Sequence, residues 1–345
     1  MDVDFSILER LNNMKTISYI TSTFKNNDCF IDNNDFRDNF LFFITNLKDK
    51  FLGVGIDIST SDINIPKSSN IILQDGLNIE PLKNIPKNKY YLLILESPHF
   101  DKGLIDKSNH KYFKKIFTWN DDMVDNKIYF KINYAFDIPK TIPKKFYNKK
   151  LCCVIAGHKS ANHPDELYTK RVDFIRWFEK NHLEEFDLYG TKWDQYRFGH
   201  SFFGKVLNKI KPLRKKKLFP SYKGMVDSKY ETMKNYKFSI CYENIKDQNG
   251  YITEKIFDSF FAGCVPIYWG AKNITTHIPK ECFVDKREFD SFEDIYDFMK
   301  NMDEKTYLSY IEAIETFLTS SKADQFRAEV FADTIVGEIV KDLNS

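Results

Sequence analysis

The sequence predicts an α/β protein of two domains, each built on a parallel sheet. Three observations support this prediction. At 345 residues the chain exceeds the usual length of a single domain. Short β-rich runs alternate with helical patterns almost from end to end, which is typical of βαβ units. A segment rich in Pro and Lys, 138–145, separates two such series and is the predicted linker.

The first series runs from the N-terminal region to the linker. Its predicted strands are runs of β-branched, aromatic and aliphatic residues at 16–22, 51–57, 70–73 and 90–95. Between the first two strands, residues 35–47 place apolar side chains on one helical face. These side chains belong to Phe36, Phe40, Phe43, Ile44 and Leu47. The alternation of strand and helix indicates the first domain, predicted over residues 1–145.

The second series repeats this alternation after the linker. Strands are predicted at 151–156, 186–189, 236–242, 265–269 and 282–285. Helices are predicted at 164–180, 251–262 and 291–301. A final helical pattern, 323–343, either packs on this domain or crosses back to the first. The second domain is predicted over 146–345, so that two Rossmann-like domains face each other across a central cleft.

Charge and cysteine usage narrow the class of protein. Lys and Arg number 51 against 49 Asp and Glu, and the formal net charge of +2 argues against a protein that coats itself with nucleic acid. The six cysteines lie mostly inside apolar runs and form no C-x-x-C pair, as expected of buried thiols in a reducing compartment. No apolar run approaches the roughly 18 to 20 residues of a spanning helix. We expect a soluble, cytoplasmic protein, alternatively one attached peripherally to a membrane.

The most informative stretch, 236–270, reads as strand, polar turn, helix and return strand. In such a unit the loop after the strand and the first helical turn face the ligand crevice, and Asn244, Tyr251, Glu254 and Lys255 all lie there. The helix amides and Lys255 suit a diphosphate, and Glu254 can accept from sugar or ribose hydroxyls. The alternative is an ordinary helix start, capped by Thr253, with Glu254 complementing the helix dipole.

This stretch resembles the donor-binding signature of the α1,3/4-fucosyltransferase family. Members show a similar Tyr-Lys-Phe start, Glu-Asn at the strand end, a Tyr-[Ile/Val]-Thr-Glu-Lys helix start and an Ala-Gly-x-Val-Pro-[Ile/Val] return strand, in the order found at 236–270. The resemblance implies a GT-B type fold, GDP-fucose bound by the C-terminal domain, and inversion at the sugar carbon. By this likeness Lys255 holds the diphosphate, Glu254 and Tyr251 hold the ribose or fucose, and Asn244 shapes the loop.

Two further blocks resemble the family. Ser160-Ala161-Asn162 followed by Arg171 is similar to a Ser-Asn block whose arginine contacts the pyrophosphate in relatives; the alternative is a solvated arginine on a helix face. Glu96, in Leu95-Glu96-Ser97-Pro98, resembles the Glu-x-Pro element before the acceptor site and is the predicted general base, the alternative being an acidic turn residue.

A third likeness concerns an aromatic block. Residues 117–122 resemble the family's Phe-x-Trp block. Trp119 is the predicted acceptor-stacking residue, or alternatively a buried core residue.

The implied reaction is direct displacement. Glu96 would take the acceptor proton, Glu254 would stabilise the oxocarbenium-like ring, and Arg171 with Lys255 would stabilise the leaving GDP. We find no convincing Asp-x-Asp motif, so no metal or other cofactor is expected to be required. Retaining enzymes of this architecture often carry a second glutamate where this chain has Ala262, and its absence favours inversion.

Several alternatives stay open. The scaffold could use GDP-mannose or another GDP-sugar. The basic run 209–217 could bind nucleic acid, although a solvated loop or contact with anionic lipid fits its setting better. The acceptor is an oligosaccharide or glycolipid, with GlcNAc, Glc and other cell-surface sugars all open.

Overall fold

The computed structural model describes residues 14–31, 37–76, 86–97, 103, 106–195, 202–207, 209–210 and 219–345. The chain divides into two units, one formed by 1–137 with 324–345 and the other by 138–323. The first boundary lies a few residues before the predicted one at 145. The C-terminal segment 324–345 belongs to the first unit, so the predicted second domain, 146–345, extends too far. Crossing back to the first domain was the second of the two alternatives that the sequence left open.

The strands and helices of the described residues are numbered in chain order. The strands are β1 Lys15–Ile20, β2 Ile56–Thr60, β3 Ile71–Asp75, β4 Tyr90–Ile94, β5 Lys115–Thr118, β6 Tyr129–Lys131, β7 Lys150–Ile155, β8 Phe186–Tyr189, β9 Tyr236–Tyr242, β10 Val265–Trp269 and β11 Val284–Asp285. The helices are α1 Phe42–Gly53, α2 Lys107–His110, α3 Tyr168–Asn181, α4 Phe202–Leu207, α5 Lys229–Met233, α6 Glu254–Phe261, α7 Ile274–His277, α8 Phe292–Asn301, α9 Glu304–Thr319 and α10 Ala328–Asn344.

The first unit is built on a parallel sheet with the strand order β2-β1-β3-β4-β5-β6. Helix α1 begins later and ends later than predicted, because Ile44, Leu47 and Phe51 form one buried stripe at helical spacing. The strand predicted at 51–57 therefore begins only at Ile56. Strands β5 and β6, which are four and three residues long, were not predicted.

Helix α10 packs in the first unit beside α1. Its buried side chains Phe331, Ile335 and Ile339 join the core that also holds Leu73 of β3 and Leu93 of β4. Burying apolar side chains contributes roughly 25 cal/mol per Å² of area removed from water. This stripe explains why the segment belongs to the first unit, although it follows the whole second unit in the chain.

The second unit is built on a parallel sheet with the order β11-β10-β9-β7-β8. Strand β7 comes first in the chain but lies between β9 and β8. The chain therefore winds away from β7 in one direction and later in the other. In open α/β sheets, ligands bind outside the carboxyl ends of the strands at such a reversal. The loops after β7 and β9 flank this point.

Two observations concern the state of the cysteines and the search for a membrane-spanning helix. All six cysteines are buried and carry free thiols, as their apolar sequence context predicted. Within the ranges that the structure describes, no helix is both long enough and apolar enough to cross a membrane.

Candidate active site

The loop after β9 and the start of α6 form a polar site in the second unit, in the segment where the sequence predicted donor binding. Strand β9 is buried along almost its whole length, so the chain is firmly held up to Tyr242. Helix α6 begins at Glu254 after Thr253, whose backbone is extended. The first turn of α6 therefore lies at the carboxyl edge of the sheet, where its amides carry a partial positive charge.

Glu243 organises this helix start. Its side chain is fully buried, and Oε1 accepts from the backbone N–H of Thr253 at 2.9 Å. Oε2 accepts from the Thr253 hydroxyl at 2.7 Å and from the Lys255 ammonium at 3.1 Å. Thr253 thus makes no side-chain cap, unlike the ordinary helix start that was the alternative interpretation. A buried carboxylate is stabilised by this number of donors, and in return it fixes the turn.

Lys255 lies between two carboxylates. Its Nζ is 3.1 Å from Oε2 of Glu243 and 3.5 Å from Oε1 of Glu254, and its side chain is 17 % exposed. Burial lowers the pKa of Lys255, but the charges of Glu243 and Glu254 raise it by more, so its pKa lies above the usual value. The ammonium is therefore a permanent charge at physiological pH.

Glu254 is held in its ionised form. Partial burial raises the pKa of Glu254, but the charges of Lys255 and Lys229 outweigh that effect and lower it to about 2. Lys229 itself is bound to Asp258, with Nζ 2.6 Å from Oδ2. The start of α6 thus combines two lysines with three carboxylates, and Glu254 is available as a hydrogen-bond acceptor at neutral pH.

Asn244 and Tyr251 close the loop between β9 and α6. The Asn244 amide donates to the Tyr251 hydroxyl at 3.4 Å, and the Asn244 carbonyl accepts from the backbone N–H of Leu167 at 3.1 Å. Tyr251 is 1 % exposed. These contacts place both predicted residues in the same loop as Glu254 and Lys255 and tie that loop to the segment after β7.

The side chain of Arg171 contacts the backbone at the end of β9. It sits on α3, is 3 % exposed, and its Nη2 donates to the carbonyl oxygens of Tyr242 at 2.6 Å and Glu243 at 3.4 Å. It is therefore not a solvated arginine on a helix face, which was the alternative interpretation. Its contacts hold the strand end that carries Glu243, and its predicted contact with a pyrophosphate stays a prediction.

Gly270, which follows β10, leaves room for Glu243. A Cβ at this position would lie 2.4 Å from Cγ of Glu243 and 2.4 Å from the Tyr268 hydroxyl. The backbone of the same segment also contacts the loop, since the Glu243 N–H donates to the Trp269 carbonyl at 2.8 Å. Glycine is the residue that allows this close approach.

In the first unit, Glu96 lies two residues beyond β4, whose five residues are all buried. Its carbonyl oxygen accepts from the indole Nε1 of Trp119 at 3.3 Å. The Leu95 carbonyl accepts from the hydroxyl of Tyr134 at 2.5 Å. The backbone that carries Glu96 is therefore fixed from two sides. Pro98, the last residue of the predicted motif, lies outside the described residues.

Trp119 fits the alternative interpretation better than the stacking role. Its side chain is 2 % exposed, and its indole N–H donates a hydrogen bond to the Glu96 carbonyl. An aromatic ring that stacks on a sugar needs one accessible face. The structure gives Trp119 a part in positioning Glu96.

Sequence reasoning assigned no role to Glu243, although it quoted the Glu-Asn pair at the strand end. A glutamate that directly follows an apolar strand was the available signal. No cluster of three or more His, Cys, Asp or Glu side chains that could hold a metal ion occurs in the part of the chain that the structure describes.

Comparisons with known proteins match this architecture. A family model described as glycosyltransferase family 10 (fucosyltransferase), C-terminal part, matches residues 144–336, more than half of the 345 residues. The α-(1,3)-fucosyltransferase FucT of Helicobacter pylori is 37 % identical over 75 residues, 22 % of this chain and 16 % of that protein. An α-(1,4)-fucosyltransferase of Arabidopsis thaliana is 30 % identical over 111 residues, 30 % of this chain and 27 % of that protein. The matched segments thus span well under a third of these relatives.

Solved structures show the same fold over nearly the whole chain. A crystal structure of an α1,3-fucosyltransferase with GDP aligns with a TM-score of 0.55 at 15 % identity, covering 96 % of this chain and 92 % of that one. A glycosyltransferase from Rickettsia africae aligns with a TM-score of 0.56 at 11 % identity, covering 96 % and 100 %. The predicted GT-B fold class, with two parallel-sheet α/β domains, is confirmed. Together with the match of the family model, these findings place the chain in glycosyltransferase family 10, the fucosyltransferase family.

Proposed function

We propose that this protein is an inverting α1,3-fucosyltransferase that transfers L-fucose from GDP-fucose to a hydroxyl of GlcNAc or Glc in a glycan. The observation that carries the proposal is the start of α6, where a buried Glu243 holds Thr253 and Lys255 at 2.7 and 3.1 Å. Solved structures of similar fold include an α1,3-fucosyltransferase with GDP-fucose, which supports the choice of donor.

The donor is held by charge and by backbone amides. The first-turn amides of α6 and the Lys255 ammonium bind the diphosphate, because both present positive charge at the carboxyl edge of the sheet. Glu254 accepts from hydroxyls of the ribose or fucose, and Asn244 and Tyr251 keep the loop in shape. Arg171 completes the cationic side, either by direct contact with the pyrophosphate or by fixing the carbonyl oxygens before it.

The reaction is a single displacement. The acceptor hydroxyl gives its proton to the Glu96 carboxylate while its oxygen forms a bond to C1 of fucose. The bond between C1 and the diphosphate oxygen breaks, and GDP leaves with the electron pair. A β-linked donor thus gives an α-linked product. Lys255 and the helix amides stabilise the charge on the leaving phosphate, the role that a metal ion takes in other transferases.

Two alternative functions can be distinguished by the donor screen described below. A different GDP-sugar, such as GDP-mannose, would use the same phosphate contacts, since these do not touch the sugar. The basic run 209–217 lies mostly outside the described residues. It follows α4 in the sequence, and Phe203 and Val206 of α4 are exposed. Its contact with a membrane, and a cytoplasmic location, stay predictions. Nucleic-acid binding finds no support in the family match.

A donor screen by product mass tests the function. Purified protein is incubated with GDP-fucose, GDP-mannose or UDP-sugars and a panel of GlcNAc- and Glc-terminated acceptors, with and without a chelator. We expect fucosylated product from GDP-fucose alone, unchanged by chelator, with an α linkage by NMR. Turnover of another donor only, a β linkage, or loss of activity in chelator would each contradict the corresponding part of the proposal.

A pair of variants tests the base. Glu96→Gln removes the proton acceptor but keeps its size, so we expect GDP binding to persist while turnover is lost. Glu329→Gln, an exposed glutamate on α10 of the same unit, is the matched control and should retain full turnover. Retained turnover in Glu96→Gln would refute the base assignment.

A further inference from the structure

The backbone that carries Glu96 continues past the paired part of β4. The parallel register of this strand runs to Leu93 beside β3 and to Ile94 beside β5. Leu95, which is 8 % exposed, and Glu96 follow these last pairs. A buried backbone segment that leaves its ladder needs other partners for its carbonyl groups, because buried polar groups in proteins are almost always hydrogen-bonded.

Two aromatic side chains supply these partners. The Tyr134 hydroxyl donates to the Leu95 carbonyl at 2.5 Å, and the indole Nε1 of Trp119 donates to the Glu96 carbonyl at 3.3 Å. These carbonyls belong to the two peptide planes on either side of the Glu96 Cα atom. Because each peptide unit is planar, fixing both planes fixes φ and ψ of Glu96, and with them the direction of its Cα–Cβ bond.

Tyr134 is itself held by a segment that is distant in sequence. Next to it, the Asn133 amide donates to the Gln325 carbonyl at 3.1 Å. Phe136 exchanges backbone hydrogen bonds of 2.8 and 3.1 Å with the segment 326–328. These partners belong to the C-terminal segment of the same unit. The hydroxyl that contacts Leu95 therefore comes from a backbone that is fixed on both sides of Tyr134.

Trp119 has a comparable support. Lys131, the last residue of β6, donates through Nζ to the Trp119 carbonyl at 2.6 Å and forms an ion pair with Asp121 at 2.5 Å. One side chain thus fixes the backbone of Trp119 and the residue two positions further on. Both aromatic donors to the segment of Glu96 are therefore held in place by hydrogen bonds of their own.

We propose that Tyr134 is a positioning residue of the reaction, which acts through the Leu95 carbonyl to aim the Glu96 side chain at the acceptor hydroxyl. The inference rests on the proposed function, in which Glu96 is the base. A base must lie within hydrogen-bond reach of the proton it takes, roughly 2.6–3.2 Å between heavy atoms. Loss of the Tyr134 bond frees one of the two peptide planes and lets the carboxylate leave that range. Tyr134 itself takes no proton.

Tyr134→Phe tests this role, because it removes the hydroxyl and keeps the ring. We expect kcat to fall by about 10- to 100-fold, the scale of a misplacement of about 1 Å, while the donor KM and the GDP affinity stay at the wild-type values. Tyr91→Phe is the matched control. The Tyr91 hydroxyl donates to Asp342 at 2.8 Å, so this variant also loses one tyrosine hydrogen bond from the same unit.

The control separates positioning from general destabilisation. Both variants should lower the thermal midpoint to a similar extent, but Tyr91→Phe should keep the wild-type kcat. Equal kcat values in the two variants, or a rise in donor KM that accompanies the fall of kcat in Tyr134→Phe, would overturn the inference.

A second readout does not need turnover. The NMR order parameter of the Glu96 backbone N–H should be about 0.85 in the wild type, the value of a rigid backbone, and lower in Tyr134→Phe but not in Tyr91→Phe. An unchanged order parameter in Tyr134→Phe would contradict the role of the hydroxyl. If the wild type transfers no fucose but the order parameter falls in Tyr134→Phe, the proposed function fails while the effect of Tyr134 on this backbone stands, so the two failures are distinguishable.

Discussion

The carboxylate of Glu243 and the ammonium of Lys255 are joined by a hydrogen-bonded ion pair of 3.1 Å, and the carboxylate is fully buried. The pair spans the turn between β9 and α6. Glu243 also accepts two hydrogen bonds from Thr253, so one side chain fixes the extended residue before the helix and the cation of its first turn. The proposed phosphate site therefore depends on a residue that need not touch the ligand.

Glu243→Gln is expected to lower the free energy of unfolding. The variant turns an amide N–H₂ toward either the Lys255 ammonium or the Thr253 donors, which leaves a buried donor unpaired at a cost of about 1–3 kcal/mol. Urea denaturation measures the effect. Glu231→Gln is the control, because its ion pair with Lys234 is exposed and should be worth less than about 1 kcal/mol. Equal losses in the two variants would show that burial of the Glu243 pair contributes nothing.

Gly270→Ala is expected to destabilise the same site from the neighbouring strand. The added Cβ would lie 2.4 Å from Cγ of Glu243, and overpacking of this kind costs roughly 1–3 kcal/mol. Thermal unfolding measures the change. Gly337→Ala is the control within α10, where an added Cβ meets nothing within 4 Å. That variant should gain about 0.5–1 kcal/mol, since alanine favours a helix interior. A stable Gly270→Ala protein would contradict the close approach.

The strand–helix–strand segment around the proposed donor site was predictable from the sequence. Strands 236–242 and 265–269 have the observed bounds, because each is rich in aromatic and β-branched residues and is followed by a polar or glycine residue. The predicted helix 251–262 began three residues early, since Tyr251 and Ile252 are apolar but belong to the loop. Helical periodicity alone does not distinguish such residues from a first turn.

Other features depend on contacts that are distant in sequence. Strand β5 is short and begins with Lys115, whose charge is balanced by Glu338 and Asp342 of α10 more than 200 residues later. The partners of Glu243, Thr253 and Lys255, lie ten and twelve residues further along the chain, beyond the loop. Hydrophobic patterns and residue propensities in one sequence do not show which distant residues come into contact.

Lys255→Ala is expected to weaken GDP binding by about 10- to 100-fold, the range for loss of one charge-assisted hydrogen bond to phosphate. Isothermal titration calorimetry with GDP and guanosine separates the contributions. Guanosine affinity should be unchanged, because the lysine acts on the diphosphate. Lys234→Ala, at an exposed lysine on the same unit, is the control and should bind both ligands normally. A parallel loss of guanosine affinity would instead indicate a collapsed loop.

Glu254→Gln is expected to change the acid stability of the protein in a defined pH window. The folded-state pKa of Glu254, about 2, lies below its unfolded value, since Lys255 and Lys229 favour the charged form. Its contribution to stability is therefore present above about pH 4.5 and is lost as the pH falls toward 2.

We expect Glu254→Gln to be less stable than the wild type by about 1–3 kcal/mol at pH 6, with the difference shrinking steadily below pH 4.5. Urea denaturation at a series of pH values measures it, with Glu329→Gln as the control for loss of an exposed carboxylate. A difference between Glu254→Gln and the wild type that is independent of pH would mean that the two lysines do not hold Glu254 ionised.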